Sequence, residues 1–86
     1  MMEKPRYPNY LDYLTLKRDV LPCGVKVVTN SMRPDLAYVP GEPFETYVIF
    51  DIQGNYDCGV VRHRDRRDAL KYHNTAVNVL REVIHA

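Results

Sequence analysis

The chain has 86 residues, of which 27% are charged and 45% are hydrophobic, and its formal net charge is +1. These values exclude a multidomain protein and a wholly disordered one, and they predict a single small domain over residues 1–86. The near-neutral charge also excludes a protein that coats nucleic acid or anionic membrane through its overall charge, so electrostatic recognition would need a local cluster.

The first residues and the cysteines bear on the cellular compartment. The stretch "MMEKPRYPNY" lacks the apolar core of a secretory signal, and no segment approaches the roughly 18 to 20 apolar residues of a membrane span. Cys23 and Cys58 are the only cysteines and form no CxxC motif, which is typical of a reduced intracellular protein, with a single disulfide as the alternative. We therefore expect a cytoplasmic protein that has no membrane partner.

The first predicted element is a helix over residues 9–21, "NYLDYLTLKRDVL". Asn9 is a suitable N-cap, and apolar residues recur at helical spacing from Tyr10 onward. The alternation within "YLTLKR" favours a strand instead, and this alternative stays open. Pro22 and Gly24 end the element in either case.

Three strands are predicted after this element. Residues 25–30, "VKVVTN", are rich in β-branched side chains, and a loop with three prolines follows them. Residues 44–53 alternate between the two faces of a strand. Gly54 and Asn55 supply a tight hairpin turn, and the returning strand is expected to bulge near Asp57, because that carboxylate would otherwise face the core.

The last segment is predicted as an amphipathic helix. Asp65 can cap its N-terminus, and Asp68 adds negative charge to the first turn. Steps of four and three residues define a core stripe: Ala69, His73, Ala76, Leu80 and Val83. A polar stripe lies opposite: Arg67, Lys71, Asn74, Asn78, Arg81 and His85. The predicted fold is therefore α+β in the order α-β-β-β-α, with a three-stranded antiparallel sheet and both helices packed on one face.

This order and two motifs resemble the double-stranded RNA-binding domain over roughly residues 8 to 84. The stretch "PFETYVIFDIQG" shows the family's Pro-Phe, alternating apolar residues and turn glycine. In "DRRDAL", Asp65 stands at the family's capping serine, Arg66 and Arg67 at its lysine pair, and Ala69 at its alanine. The resemblance implies that Arg66 and Arg67 contact phosphates of duplex RNA while the first helix enters the neighbouring minor groove.

The chain departs from this family at three points. Leu70 occupies the third basic position, Asp65 replaces the cap hydroxyl with an anion, and the "YVPGEP" loop lacks the family's Gly-Pro-x-His-like contact. Domains of this family that lose these features often bind proteins instead of RNA. The resemblance implies the same for this chain.

A cluster of arginines lies where the last strand would meet the last helix. Four guanidinium groups fall within six residues, and we call them the basic corner: Arg62, Arg64, Arg66 and Arg67. The unpaired N–H groups of a helix N-terminus favour anions, so the basic corner can clamp a phosphate or a carboxylate. The alternative is a solvated salt-bridge surface neutralised by Asp57, Asp65 and Asp68, although the arginines outnumber the aspartates locally.

Lys71 and Tyr38 complete the candidate contact surface. Lys71 lies one step from the family's third basic position and belongs to the polar stripe of the helix. Tyr38 lies in the proline-containing loop, where an aromatic ring with one polar tip suits a protein interface. The alternative for a tyrosine in this Trp-free chain is the rim of the core.

No metal site and no catalytic group follow from the remaining residues. Cys23, Cys58, His63 and His73 match no standard ligand spacing for zinc, and a buried or half-buried His73 bonded to backbone is expected on the core stripe. Cys58 and His63 lack an oxyanion hole and a third group, and the chain has no GxSxG motif or P-loop. We therefore expect no enzyme and no cofactor.

Two functions stay open after these exclusions. The first is a stand-alone binding module that docks on an acidic protein surface through the basic corner, like small phage or bacterial inhibitors and accessory proteins. The second is a duplex RNA-binding protein that contacts phosphates with Arg66 and Arg67. The near-neutral charge of the chain places protein docking first.

Overall fold

The structure, a computed structural model, describes residues 13–85. Four strands and one helix follow in chain order: β1 (Tyr13–Leu21), β2 (Val25–Met32), β3 (Phe44–Ile52), β4 (Asn55–His63) and α1 (Arg66–His85). The strands form one antiparallel sheet in which each strand pairs with the next along the chain. Helix α1 packs on one face of this sheet, which makes the fold a β-β-β-β-α arrangement.

The predicted α-β-β-β-α order with a three-stranded sheet is wrong, because residues 13–21 form a strand and not a helix. This strand pairs with β2 along its length, with one irregularity in register between Thr15 and Lys17. The pairing satisfies the backbone N–H and C=O groups on one side of β2, which a helix could not do. The alternation within "YLTLKR" is therefore the correct local signal. Residues 9–12 of the predicted helix lie outside the described residues.

Every second residue of the strands lies on the face under α1. Val25, Val27 and Thr29 of β2 are buried there, and the register places Phe50 and Val48 of β3 beside the two valines. This face and one side of α1 enclose the hydrophobic core. The core consists of Leu21, Val25, Val27 and Val77, with Phe50, Ala76, Leu80 and Ile84 packed against it.

The hairpin between β3 and β4 turns at Gln53 and Gly54, one residue earlier than predicted. Both residues have positive φ, 51° at Gln53 and 81° at Gly54, as a type I′ turn requires. Ile52 then faces Asn55, so the pairing shifts by an even number of residues and each side chain keeps its predicted face. The expected bulge is absent from this hairpin, since its register is continuous and Asp57 is exposed to water.

Helix α1 presents a buried stripe to the sheet, as predicted, but the stripe ends differently. His73 and Val77 are buried, and Leu80 and Ile84 pack against the core. The predicted core position Val83 is wrong, because its side chain is 66% exposed. With 3.6 residues per turn, steps of four, three and four from His73 keep a side chain over the sheet, and the last step reaches Ile84 instead.

No helix covers the opposite face of the sheet in the part of the chain that the structure describes. We call it the open face. The strand registers place these residues on it: Val20 of β1, Lys26 and Val28 of β2, Glu45, Tyr47 and Ile49 of β3, and Tyr56, Cys58, Val60 and Arg62 of β4. A four-stranded sheet with one helix therefore leaves several apolar side chains outside the core.

Candidate functional site

The basic corner lies at the junction of β4 and α1. β4 ends at His63 and α1 begins at Arg66, so only Arg64 and Asp65 link the two elements. Asp65 Oδ1 accepts a hydrogen bond from the backbone N–H of Asp68 at 2.8 Å, which is the predicted N-cap. The short link and the cap hold the arginines beside the helix N-terminus.

Arg62 is compensated within the chain. Its Nε donates to Glu45 Oε2 at 2.9 Å, and its Cζ lies 4.7 Å from the centre of the Tyr38 ring. Glu45 is only 4% exposed and also accepts a hydrogen bond from the Tyr47 hydroxyl at 2.8 Å. Because a buried carboxylate needs a cation, Arg62 serves the folded structure, and the expectation of an uncompensated guanidinium does not hold at this position.

The other three arginines of the basic corner differ from Arg62. Arg64, Arg66 and Arg67 are exposed, and none of them forms an ion pair with any residue that the structure describes. Two of the three aspartates that could neutralise them bond to backbone: Asp57 accepts from the next backbone N–H at 2.9 Å, and Asp65 caps the helix. The third, Asp68, is exposed and forms no ion pair with these arginines. Three positive charges therefore face water without a carboxylate in contact.

Tyr38 and Lys71 lie on different elements around this site. Tyr38 is 81% exposed in the connection between β2 and β3, and its ring covers Arg62 on the open face. Lys71 is exposed on the polar stripe of α1, one turn after Arg67. The structure therefore brings Tyr38 to Arg62 and groups Lys71 with Arg67, as two separate pairs.

Tyr47 donates a second hydrogen bond to the Glu45 carboxylate. Burial, and then the hydrogen bond to Glu45, raise the pKa of Tyr47 to about 12. The phenol therefore keeps its proton at neutral pH, and its O–H donates a hydrogen bond to the carboxylate. Arg62, Glu45 and Tyr47 thus form one bonded group on the open face.

His63, His73 and Cys58 do not converge on a metal site. Cys58 has a free, exposed thiol on the open face, whereas the register places His63 on the face under α1. The His63 ring lies 5.2 Å from that of Tyr72, and its buried Nε2 has no hydrogen-bond partner. Among the described residues, no group of three or more His, Cys, Asp or Glu side chains is placed to hold a metal ion.

A buried polar network crosses the sheet beneath α1, and the sequence did not predict it. His73 Nε2 lies 2.7 Å from Asp19 Oδ2, and His73 Nδ1 lies 2.8 Å from Thr29 Oγ1. Thr29 Oγ1 lies in turn 2.7 Å from Thr46 Oγ1. His73 was expected to be bonded to backbone, but its partners are side chains of β1 and β2. The available signal was the two threonines, Thr29 and Thr46, at inward positions next to the apolar Val27 and Val48.

The order carboxylate, imidazole and hydroxyl in this network resembles a nucleophilic triad, but the site is closed. His73, Thr29 and Thr46 are each 0% exposed, so no substrate reaches the hydroxyl. Each polar atom is satisfied by a neighbour, as buried polar atoms of the protein interior require. The network therefore holds β1, β2, β3 and α1 together and provides no nucleophile.

An apolar groove runs between α1 and the sheet on the side of β4. Its volume is about 310 Å³, and it is lined by Val48, Tyr72, Thr75, Ala76, Val79 and Leu80. Gly59, the cross-strand partner of Val48, leaves space beside it, because a Cβ at this position would meet no atom within 4 Å. The helix therefore covers β4 incompletely.

Comparison with known proteins adds no relative to this description. The chain matches no model of a protein family, no curated protein and no solved structure. Within the described residues, no helix is both long and apolar enough to cross a membrane.

Proposed function

We propose that this chain is a non-enzymatic binding module that docks on an acidic surface of another protein through Arg64, Arg66 and Arg67. The observation that carries the proposal is the exposure of these three cations without a carboxylate partner among the described residues. Cations in the first turn of a helix oppose the helix dipole, which costs about 0.3 to 1 kcal/mol each. An acidic partner would offset that cost and would also meet the backbone N–H groups of the same turn.

The surroundings of these arginines support a protein partner over duplex RNA. The resemblance to the double-stranded RNA-binding domain implies a first helix in the minor groove, but β1 occupies residues 13–21. The bonds of Arg62 to Glu45 and Tyr38 also remove one cation from the set available for phosphates. Duplex RNA binding through Arg66 and Arg67 stays the alternative.

A charge-reversal pair with a matched control tests the docking site. Arg66→Glu with Arg67→Glu changes the net charge from +1 to −3, because each substitution removes two charge units. Arg18→Glu with Lys26→Glu makes the same change on β1 and β2, away from the basic corner. We call the first double substitution the corner variant and the second the control variant. Proteins that the wild type and the control variant capture from the native lysate, but that the corner variant does not, would support the proposal. A captured set that both variants lose equally would contradict it.

Fluorescence anisotropy with a labelled RNA duplex distinguishes the alternative. Duplex binding through phosphates should weaken steeply with salt, with a log-log slope of roughly −0.9 for each phosphate contacted. The corner variant should then lose binding at about 50 mM salt while the control variant keeps it. Such a result would move the proposed function from protein docking to duplex RNA. No binding by the wild type at this salt concentration would exclude the RNA alternative.

A further inference from the structure

Strand β4 is an edge strand that the described part of the chain leaves unpaired on one side. It is nine residues long and pairs only with β3, in a register without interruption. In an antiparallel ladder every second residue points its N–H and C=O groups away from the partner strand, so β4 presents a regular row of open backbone groups. Such a row is a template for pairing with another strand.

The other edge of the sheet carries protection that β4 lacks. In β1 the register is irregular between Thr15 and Lys17, and Lys17, Arg18 and Asp19 place three charges in succession. Bulges and charged side chains are the usual means of blocking an exposed edge. The centre of β4, residues 58–61, reads Cys-Gly-Val-Val, with no charge, no proline and no irregularity.

The side chains of β4 are also exposed on both faces of the sheet. Residues 55–60 are all exposed, among them Val60 at 37% and Tyr56 at 68%. On the face under α1, Gly59 leaves open space. An uninterrupted edge strand with exposed apolar side chains is a site for pairing with another chain.

We infer that two copies of this chain form a symmetric dimer by antiparallel pairing of their β4 strands, with Val60 opposite its own copy. Residues that face each other must share a face of the sheet, and this register satisfies that condition throughout. Gly59 then faces Val61 of the second copy, which fills the space that the glycine leaves. Asp57 faces His63, and Tyr56 faces Arg64 just beyond the end of the strand.

Electrostatic complementarity favours a second copy as the partner. The turn end of β4 carries Asp57 together with the nearby Asp51, whereas the exposed Arg64 follows its helix end. Antiparallel pairing brings the acidic end of one strand to the basic end of the other, and the two-fold axis repeats each favourable contact. A single self-complementary strand thus supplies both halves of the interface.

Arg64 belongs to both the dimer interface and the proposed docking site, but Arg66 and Arg67 separate the two proposals. Arg66 and Arg67 belong to α1 and lie outside the paired strands. The corner variant described above should therefore have the same mass in solution as the wild type. Loss of the dimer would leave the docking proposal standing, and loss of docking would leave the dimer standing.

Sedimentation velocity of the full chain over a concentration series tests the dimer. The wild type should show a dimer that dissociates on dilution, and Val60→Lys should weaken it at least about tenfold, because two like charges would face each other at the axis. Val20→Lys is the matched control, since Val20 is an exposed open-face valine of the β1 edge. A wild type that is monomeric up to about 1 mM would overturn the inference, as would a dimer that survives Val60→Lys or disappears with Val20→Lys.

A cross-linking experiment tests the register and does not depend on the folding of the lysine variant. In a background in which Cys23 and Cys58 are replaced by serine, Val60→Cys and Val20→Cys each introduce one thiol. A short bis-maleimide should link Val60→Cys into a covalent dimer at concentrations where Val20→Cys stays monomeric. Equal yields for the two variants, or no covalent dimer from Val60→Cys, would contradict the pairing.

Discussion

His73 Nε2 lies 2.7 Å from Asp19 Oδ2, and this contact ties helix α1 to the edge strand β1. Because an ionised carboxylate only accepts hydrogen bonds, the imidazole Nε2–H donates to Asp19, and this bond lowers the pKa of the Asp19 carboxyl. The imidazole is 0% exposed, and its other nitrogen is bonded to Thr29. One side chain thus connects two sequence-distant strands to the helix.

Removing the carboxylate should destabilise the fold. Asp19→Ala leaves the Nε2 of a fully buried imidazole without a protein partner, and an unsatisfied buried polar group costs about 1 to 3 kcal/mol. Urea denaturation monitored by circular dichroism should show a lower midpoint with an unchanged slope. Asp51→Ala, which removes an exposed carboxylate of β3, is the control and should change the free energy of unfolding by less than about 0.5 kcal/mol. Equal effects of the two substitutions would show that the contact contributes nothing.

The same contact predicts a dependence of stability on acid pH. The pKa of Asp19 is lower in the folded chain than its usual 3.8, so its contribution is present above that value and is lost as the pH falls through the folded pKa. Below about pH 3.8 the free energy of unfolding should fall more steeply for the wild type than for Asp19→Asn. Urea titrations at a series of pH values measure both curves. Curves that stay parallel through this range would contradict the assignment.

Arg62 and Arg64 should respond differently to the same substitution. Arg62→Ala leaves Glu45, which is 4% exposed, without its cation, and the expected loss is about 1 to 3 kcal/mol, reduced by the partial exposure of the pair. Arg64→Ala removes an exposed side chain without an ion pair among the described residues and should stay within about 0.5 kcal/mol of the wild type. Thermal and urea unfolding of both variants give the comparison. If Arg64→Ala lowered the free energy of unfolding more than Arg62→Ala, the assignment of Arg62 as the structural arginine and Arg64 as the unpaired one would be wrong.

Because the pKa of Tyr47 is raised, we expect the protein to lose stability at alkaline pH. Burial raises its pKa from 10.0 to about 12, so its contribution is full below pH 10 and is lost as the pH rises through the folded value. The difference in free energy of unfolding between the wild type and Tyr47→Phe should therefore shrink between about pH 10 and 12. Chemical denaturation across this range measures the difference. A difference that stays constant would mean that Tyr47 titrates normally in the folded chain.

The elements that were correctly predicted depend on residues close together in the chain. β3 follows from period-two alternation. The start of α1 follows from the N-cap Asp65, which accepts a hydrogen bond from the backbone N–H of Asp68, three residues later. The hairpin turn was misplaced by one residue, yet the faces of both strands were right, because an even shift in pairing preserves them.

The errors have a different origin. Residues 13–21 carry apolar side chains that fit both a helical and a strand period, so the local pattern could not separate the two. Pairing with β2 settled the outcome, since it satisfies backbone groups that belong to another part of the chain. The predicted sheet was therefore one strand short, and the predicted first helix does not exist over these residues.

The sequence by itself determined that the arginines gather at a capped junction of strand and helix, because a cap and a helical period act over only a few residues. The tertiary structure decided which of them is engaged: Glu45, seventeen positions away, lies beside Arg62 only because β3 pairs with β4. It likewise joined Thr29 to His73 across forty-four positions. Contacts between residues so far apart depend on how the sheet is assembled, and no local pattern of side chains encodes that assembly.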